Sequence, residues 1–289
     1  MRDWAELPRD ALLAVLHRLE QADVLMGAEQ VCRPWRRAAR EEPVLWRRVD
    51  LRRRGALTSP GVDVEAMAYA ALRRGAGRCE AFWAEDVVDD NFISFLSCEA
   101  PALKSLCLIS CNISTQGLNG AIRRLPMLEV LELSLYSSSG GLCNLAETCT
   151  AAAEACPLLK RLRLSKYRFH WLSGVGDSEA MEVSKMRGLR SLQLFGNSLG
   201  NAGLAAILEG CASLESLDIR HCFNVEMDNE MRAKCAARLQ TLRLPDDSMD
   251  DYDISFGSPE MNPRRPELGV PGSPEMNFGF RGDILWDSW

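Results

Sequence analysis

Leu128-Glu129-Val130-Leu131-Glu132-Leu133 carries the pattern L-x-x-L-x-L, and its recurrence decides how the chain folds. The pattern returns at Leu103/Leu106/Leu108, Leu159/Leu162/Leu164, Leu189/Leu192/Leu194, Leu214/Leu217/Ile219 and Leu239/Leu242/Leu244. The six copies start 25, 31, 30, 25 and 25 residues apart. Weaker copies precede them at Cys79/Phe82/Ala84 and Trp46/Val49/Leu51. One such hexamer in a leucine-rich chain carries no information, but a set at this period describes a structural repeat.

The repeat predicts an α/β solenoid of leucine-rich repeats. In each unit the two leucines flanking one residue point inward from a short strand, and stacked units bury them in one continuous core. Helical patterns fall between the strands: Leu118, Ala121 and Ile122 after an N-cap expected at Thr115, and Leu204, Ile207 and Leu208 after Asn201. Short parallel strands are therefore expected on the concave face and helices on the convex face. The two longer units carry insertions, around Tyr136–Gly141 and His170–Asp177. The cluster Phe169, His170 and Trp171 in the second is either a contact patch or local packing, and packing is the expectation.

Eight residues after the leading leucine, three units place Cys111, Asn197 or Cys222, where the chain is expected to turn off its strand. Cysteines also recur just before strands, at Cys98, Cys156, Cys211 and Cys235. This arrangement resembles the cysteine-containing class of leucine-rich repeats, over roughly residues 79–244. The resemblance assigns most of the 11 cysteines to structure. The spacing agrees, because no C-x-x-C pair is present for a zinc ribbon or RING finger.

Side chains beside and between the inward leucines point to the concave face. They are Ser105, Cys107, Val130, Glu132, Arg161, Arg163, Ser191, Gln193, Ser216, Asp218, Arg220, Thr241 and Arg243. Successive units line them up as two adjacent columns, the candidate substrate face. Arg161, Arg163, Arg220 and Arg243 suit an acidic or phosphorylated segment, since guanidinium binds such groups through two parallel hydrogen bonds. Taken singly, each arginine is more simply read as solvated, with Arg220 paired to Asp218 or Glu132.

Upstream of the repeats, Leu7-Pro8-Arg9-Asp10 opens a helix. Leu12, Leu16 and Leu19 continue it on one face, and a second pattern follows Asp23 through Leu25, Ala28, Val31, Cys32 and Trp35. Pro43 breaks the chain before Leu45-Trp46. Three short helices in so few residues bury little surface, so the unit needs a neighbour or a partner.

Leu7-Pro8-x-Asp10-x-Leu12-Leu13-x-x-Leu16-x-x-Leu19, then Val24-Leu25, Val31-Cys32-Arg33-Pro34-Trp35-Arg36 and Leu45-Trp46, closely resembles the F-box motif. That resemblance implies a three-helix unit inserted into the Skp-family adaptor of a cullin–RING ubiquitin ligase. Leu7, Pro8, Leu12, Leu16, Leu25, Val31 and Trp35 are then the expected adaptor-binding residues, some of which pack the unit's own core instead. The expected organisation is an F-box over 1–48, about seven repeat units over 49–244, and a tail over 245–289. The family reading makes the chain a non-catalytic substrate receptor that promotes ubiquitination and proteasomal degradation. An interaction scaffold and a small-ligand sensor are the alternatives.

Composition limits the other classes. The chain has 289 residues, 47% hydrophobic and 26% charged, with a formal net charge of −6. Residues 1–54 hold 12 Arg against 9 acids, and residues 245–289 hold 3 Arg against 10 acids; the acidic tail argues against nucleic acid as a partner. No apolar run reaches the length of a membrane span, and the acids and proline near Met1 do not suit a signal peptide, so cytoplasm or nucleus is expected. Only His17, His170 and His221 are available for histidine chemistry, and no phosphate-binding glycine loop is present. No catalytic residue, metal site or cofactor is expected. From Pro245 the chain is acidic and then rich in Pro and Gly, with Gly-Ser-Pro-Glu-Met-Asn at 257–262 and again at 272–277. That composition predicts a largely disordered segment with Ser258 and Ser273 as phosphorylation candidates. An acidic tail after such repeats also resembles plant F-box/repeat proteins.

Overall fold

The structure, a computed structural model, describes residues 4–52, 55–136, 144–166 and 175–250. Phe169, His170, Trp171, most of both expected insertions, Ser258 and Ser273 lie outside the described residues.

Four helical segments begin the chain: α1 (Arg9–Leu16), α2 (Gln21–Asp23), α3 (Glu29–Val31) and α4 (Arg33–Glu41). A π-helical turn, Val24–Ala28, joins α2 to α3, so the second helix starts before Asp23 rather than after it. Pro8 stands just outside α1 with extended backbone, and Pro34 lies in the first turn of α4, where its missing N–H leaves no bond unmade.

Eight strands follow: β1 (Arg48–Leu51), β2 (Ala81–Glu85), β3 (Ser105–Ile109), β4 (Val130–Tyr136), β5 (Arg161–Lys166), β6 (Ser191–Phe195), β7 (Ser216–Asp218) and β8 (Thr241–Arg243). They form one parallel sheet in sequence order. The helices between them are α5 (Val64–Gly75), α6 (Asp90–Glu99), α7 (Thr115–Ile122), α8 (Leu145–Ala155), α9 (Ser178–Val183), α10 (Asn201–Gly210) and α11 (Asn229–Ala236). Each carries the chain across to the next strand in the same direction, which is why the pairing is parallel. The strand count exceeds seven units because the weak copy at Trp46/Val49/Leu51 forms β1.

The repeat leucines meet in register. Val49, Phe82, Leu106, Leu131, Leu162, Leu192, Leu217 and Leu242 are successive partners across the sheet. All but Leu242 are buried, each such leucine contributing roughly 2 kcal/mol of apolar burial. Leu239 and Leu242 stay half-buried, since no unit stacks beyond β8 among the described residues.

The turn off the strand is made one residue earlier than the sequence pattern suggested. Asp86, Ser110, Gly196 and His221 share a repeat position and a left-handed backbone, with φ of 64, 53, 61 and 61°. The following residues, Cys111, Asn197 and Cys222, are buried beneath that turn.

Adjacent units are also tied by side chains at the helix starts. The cap of α7 is Ser114, whose Oγ accepts from the Gly117 N–H; Thr115 is the first helical residue. Freed from capping, the Thr115 hydroxyl accepts from the Asn144 N–H of the next unit at 2.6 Å. Asn201 likewise begins α10 rather than capping it, and its amide exchanges bonds of 2.9 and 2.8 Å with the Glu226 backbone. Asp90 accepts from Ser114 N at 2.7 Å and Asp177 from Gly200 N at 2.7 Å. In four places, then, a helix start orders the loop of the following unit.

Of the ten described cysteines, eight are buried. Cys156 points its thiol at the carbonyl of Leu125 (3.6 Å) and Cys211 at that of Val183 (3.3 Å). Val183 ends α9 and Leu125 lies three residues past α7, and each carbonyl also accepts a backbone N–H, from Met186 at 2.9 Å and Leu128 at 3.2 Å, so the thiols add a second donor where the preceding unit's helix gives way to a turn. Burial pushes the Cys156 and Cys211 thiols up to about 11 and Cys222 up to about 12, so they remain protonated donors.

No helix among the described residues is long and apolar enough to cross a membrane.

Candidate functional site

The N-terminal helices divide the seven sequence-predicted residues by role. Leu12, Leu16 and Trp35 are buried in the unit's own core, and the Trp35 indole donates to the Trp4 carbonyl at 3.0 Å. Leu7 and Leu25 are half-buried, while Pro8 and Val31 face solvent. Residues outside that set add to the apolar exterior: Val15, Met26 and Val44 are each at least 38% exposed. Val15, Leu19, Met26, Gly27, Ala28 and Trp35, with Asp23 as its one charged residue, line an open groove between α1 and the π-helical turn. In the sequence Val15 and Met26 flank the buried stripe rather than lying on it, a weak signal that only packing resolves.

The unit is welded to the repeats. Trp46 is fully buried, its Nε1 donates to the Ala39 carbonyl at 2.9 Å, and the Arg74 guanidinium of α5 lies over its ring at 5.0 Å from the centroid. Arg74 also makes two hydrogen bonds to the buried carboxylate of Glu29 in α3.

A family model described as F-box-like matches residues 4–52. Among similar proteins of Arabidopsis thaliana, putative F-box/LRR-repeat protein 23 is 36% identical over 253 residues, 86% of this chain and 55% of that protein. F-box protein SKIP19 is 35% identical over 262 residues, 89% of this chain and 82% of its own length. Putative F-box/LRR-repeat protein 22 is 34% identical over 292 residues, 96% and 90% of the two chains. The chain belongs to the F-box/leucine-rich-repeat family. It spans little more than half the length of the first of these relatives and most of the other two.

The concave face of this F-box/leucine-rich-repeat chain has three columns, not two. Nearest the strand starts run Arg48, Ala81, Ser105, Val130, Arg161, Ser191, Ser216 and Thr241. Next come Asp50, Trp83, Cys107, Glu132, Arg163, Gln193, Asp218 and Arg243. The third, toward the strand ends, includes Glu85, Ile109, Ser134, Ser165 and Phe195, with Arg220 just past the end of β7. Exposure falls across them: Arg48, Arg161 and Thr241 in the first column are exposed, whereas Ile109, Ser134, Ser165, Phe195 and Arg220 are buried.

Most of the face's charge is neutralised internally. Arg163 Nη1 donates to Glu132 at 2.8 Å, Gln193 to Asp218 at 2.8 Å, and Arg52 pairs with Asp50 at 2.7 Å. Arg220, only 4% exposed, pairs with Asp218 at 2.7 Å and donates to the Ser248 carbonyl at 2.8 Å. The chain just beyond residue 244 therefore packs on the last units; Asp247 accepts from the Leu244 N–H at 2.9 Å. Arg163 and Arg220 are thus committed to the fold, unlike Arg161. Cys107 is 1% exposed, and burial, reinforced by the Glu132 charge, raises its thiol far above the range of a nucleophile. His221 stacks on Phe195 at 4.6 Å, and burial together with the Arg220 charge lowers its imidazole, so it is neutral.

Arg48, Asp50, Ala81 and Trp83 of the first two columns lie outside the expected set, and Trp83 and Arg48 are the largest of them. Trp83 lies between inward Phe82 and Ala84, and Arg48 precedes inward Val49, in the two weakest copies. Arg48 stacks on Trp83 at 5.1 Å from the ring centroid. Extending the repeat register into those copies is the signal that finds both.

Along the strand starts runs a charge ladder: Arg47–Glu80 at 2.7 Å, Lys104–Glu80 at 3.5 Å, Lys160–Glu129 at 2.6 Å and Arg190–Glu215 at 3.4 Å. Hydrogen bonds from Arg47 and Lys160 hold Glu80 and Glu129 below the usual carboxylate range. Each exposed pair is worth little alone; in series they favour the observed register.

Proposed function

We propose that this chain is the substrate-recognition subunit of a Skp–cullin–F-box ubiquitin ligase. The F-box binds a Skp-family adaptor, and through it the cullin and RING subunits; the repeats bind a target protein, which is ubiquitinated and sent to the proteasome. The chain itself contributes positioning and no catalytic group, raising the effective concentration of target near the ligase. It acts in the cytoplasm or nucleus.

The observation that carries this reading is the uncovered apolar groove of Val15, Leu19 and Met26 on a helical unit whose own core is already closed by Leu12, Leu16 and Trp35. Apolar surface left open beside a completed core marks a protein interface. Half-buried Leu7 and Leu25 and exposed Pro8 and Val31 widen the candidate adaptor surface. Welding by Trp46 and Arg74 then holds target and ligase at a set separation.

Co-purification with a Skp-family adaptor tests the reading. Wild type is expected to capture adaptor, and Val15→Asp/Met26→Asp to lose it while remaining folded. Failure of the folded wild type to capture any adaptor refutes the proposal and leaves the scaffold reading.

A further inference from the structure

The internal ion pairs leave an unusual remainder in the first concave column. Arg48 and Arg161 are both exposed, and neither meets a carboxylate among the described residues. Between them the column holds only Ala81, Ser105 and Val130, small uncharged side chains. Arg48 lies over the Trp83 ring, and Arg161 stands in an open groove with Val130 and Ser191, lined also by Lys160 and Arg190 and by the carboxylates Glu129 and Glu215, which those two cations pair.

We infer that this column binds an extended segment of target protein carrying two anionic groups, one seated on Arg48 and one on Arg161. The inference rests on the repeats' role as the target-binding face. The two arginines are four strands apart, about 19 Å at the usual interstrand spacing of roughly 4.8 Å. An extended peptide rises about 3.3 Å per residue, so the anionic groups belong about six residues apart. The three small residues between give that peptide an uncharged floor, and the carboxylates beside it, Glu80 and Glu129, are already paired to Arg47, Lys104 and Lys160. Trp83 and Arg48 together have the composition of an interface hot spot. Arg163 and Arg220 take no part, because Glu132 and Asp218 already occupy their guanidinium groups. Carboxylates and phosphoryl groups share the recognition chemistry, both accepting paired hydrogen bonds from guanidinium.

The test uses the full chain and fluorescein-labelled peptides of Ser, Thr and Val bearing two glutamates, or two phosphoserines, at separations from about two to ten residues, read by anisotropy at low salt. Affinity is expected to peak near six residues. Arg48→Gln and Arg161→Gln should each weaken the best peptide about tenfold and flatten the spacing preference. Arg123→Gln on the convex side should change nothing. A preference for phosphoserine over glutamate, or the reverse, identifies the source of the anion. Equal affinity at every spacing, indifference to both arginine substitutions, or no binding of any peptide overturns the inference. Adaptor capture does not use these arginines, so it separates failure here from failure of the ligase reading.

Discussion

Arg74 and Glu29 join the two halves of the molecule: the guanidinium of α5 forks onto the carboxylate of α3, with Nη2 to Oε2 at 3.2 Å, while its flat face covers the Trp46 ring. Both side chains are largely out of water, 15% and 6% exposed. Removing one partner strands a buried charge, which costs about 3–5 kcal/mol. Arg74→Met should therefore lower the denaturation midpoint strongly, because Arg40, 4.0 Å from Glu29, is too exposed to replace it. The double variant Arg74→Met/Glu29→Met should recover much of that loss. A double variant no more stable than the single one shows that the pair is not what joins the halves.

Core and interface should separate within the F-box. Leu12 is 3% exposed, and Leu12→Ala should cost about 2–5 kcal/mol. Val15→Asp touches the open groove and should shift stability by no more than about 0.5 kcal/mol. Urea titrations read the first quantity and adaptor capture the second. The expected result is capture lost in Val15→Asp at wild-type stability.

Glycines in α7 and α10 differ by what lies opposite. A Cβ at Gly203 would come within 2.3 Å of Asp177 Oδ1, the atom that accepts from Gly200 N–H. Gly203→Ala must displace that carboxylate and should cost roughly 1–3 kcal/mol. At Gly120 nothing lies within 4 Å, so Gly120→Ala should be neutral or stabilise by up to about 1 kcal/mol through helix propensity. Thermal unfolding of the two variants side by side checks the sign.

Buried thiols make the fold sensitive to alkali. Burial raises Cys79, Cys111 and Cys222 to about 12 and Cys156 and Cys211 to about 11, against about 8.5 in an unfolded chain. Folded values above the unfolded value mean that this contribution is complete below about pH 8.5 and is lost as pH rises through the folded range. The slope approaches 1.4 kcal/mol per pH unit for each thiol. Under reducing conditions the denaturation midpoint should fall steeply above about pH 9. In a Cys143→Ser background at neutral pH, a thiol reagent should modify exposed Cys98 and half-buried Cys32 in the native state and the eight buried thiols only on unfolding.

The hexamer at Leu128 and its copies determined the strands, their parallel order and the inward rows, because stacking identical units leaves one register that buries every leucine. The run from Leu7 to Trp46 likewise determined the F-box. What the copies could not determine is which outward residues remain available. Arg161 and Arg163 stand two apart on one strand and look equivalent in sequence, yet Glu132 of the neighbouring strand takes Arg163 and leaves Arg161 exposed. Leu12 and Val15 are both apolar residues of one short helix, yet packing within the unit buries Leu12 to 3% exposure and leaves Val15 at 38%. Thr115 and Asn201 suit capping by type, but the next unit's loop engages them first. Local periodicity encodes what each unit repeats; contacts between units, with no periodic trace in the chain, decide which side chains are spent on the fold and which remain for a partner.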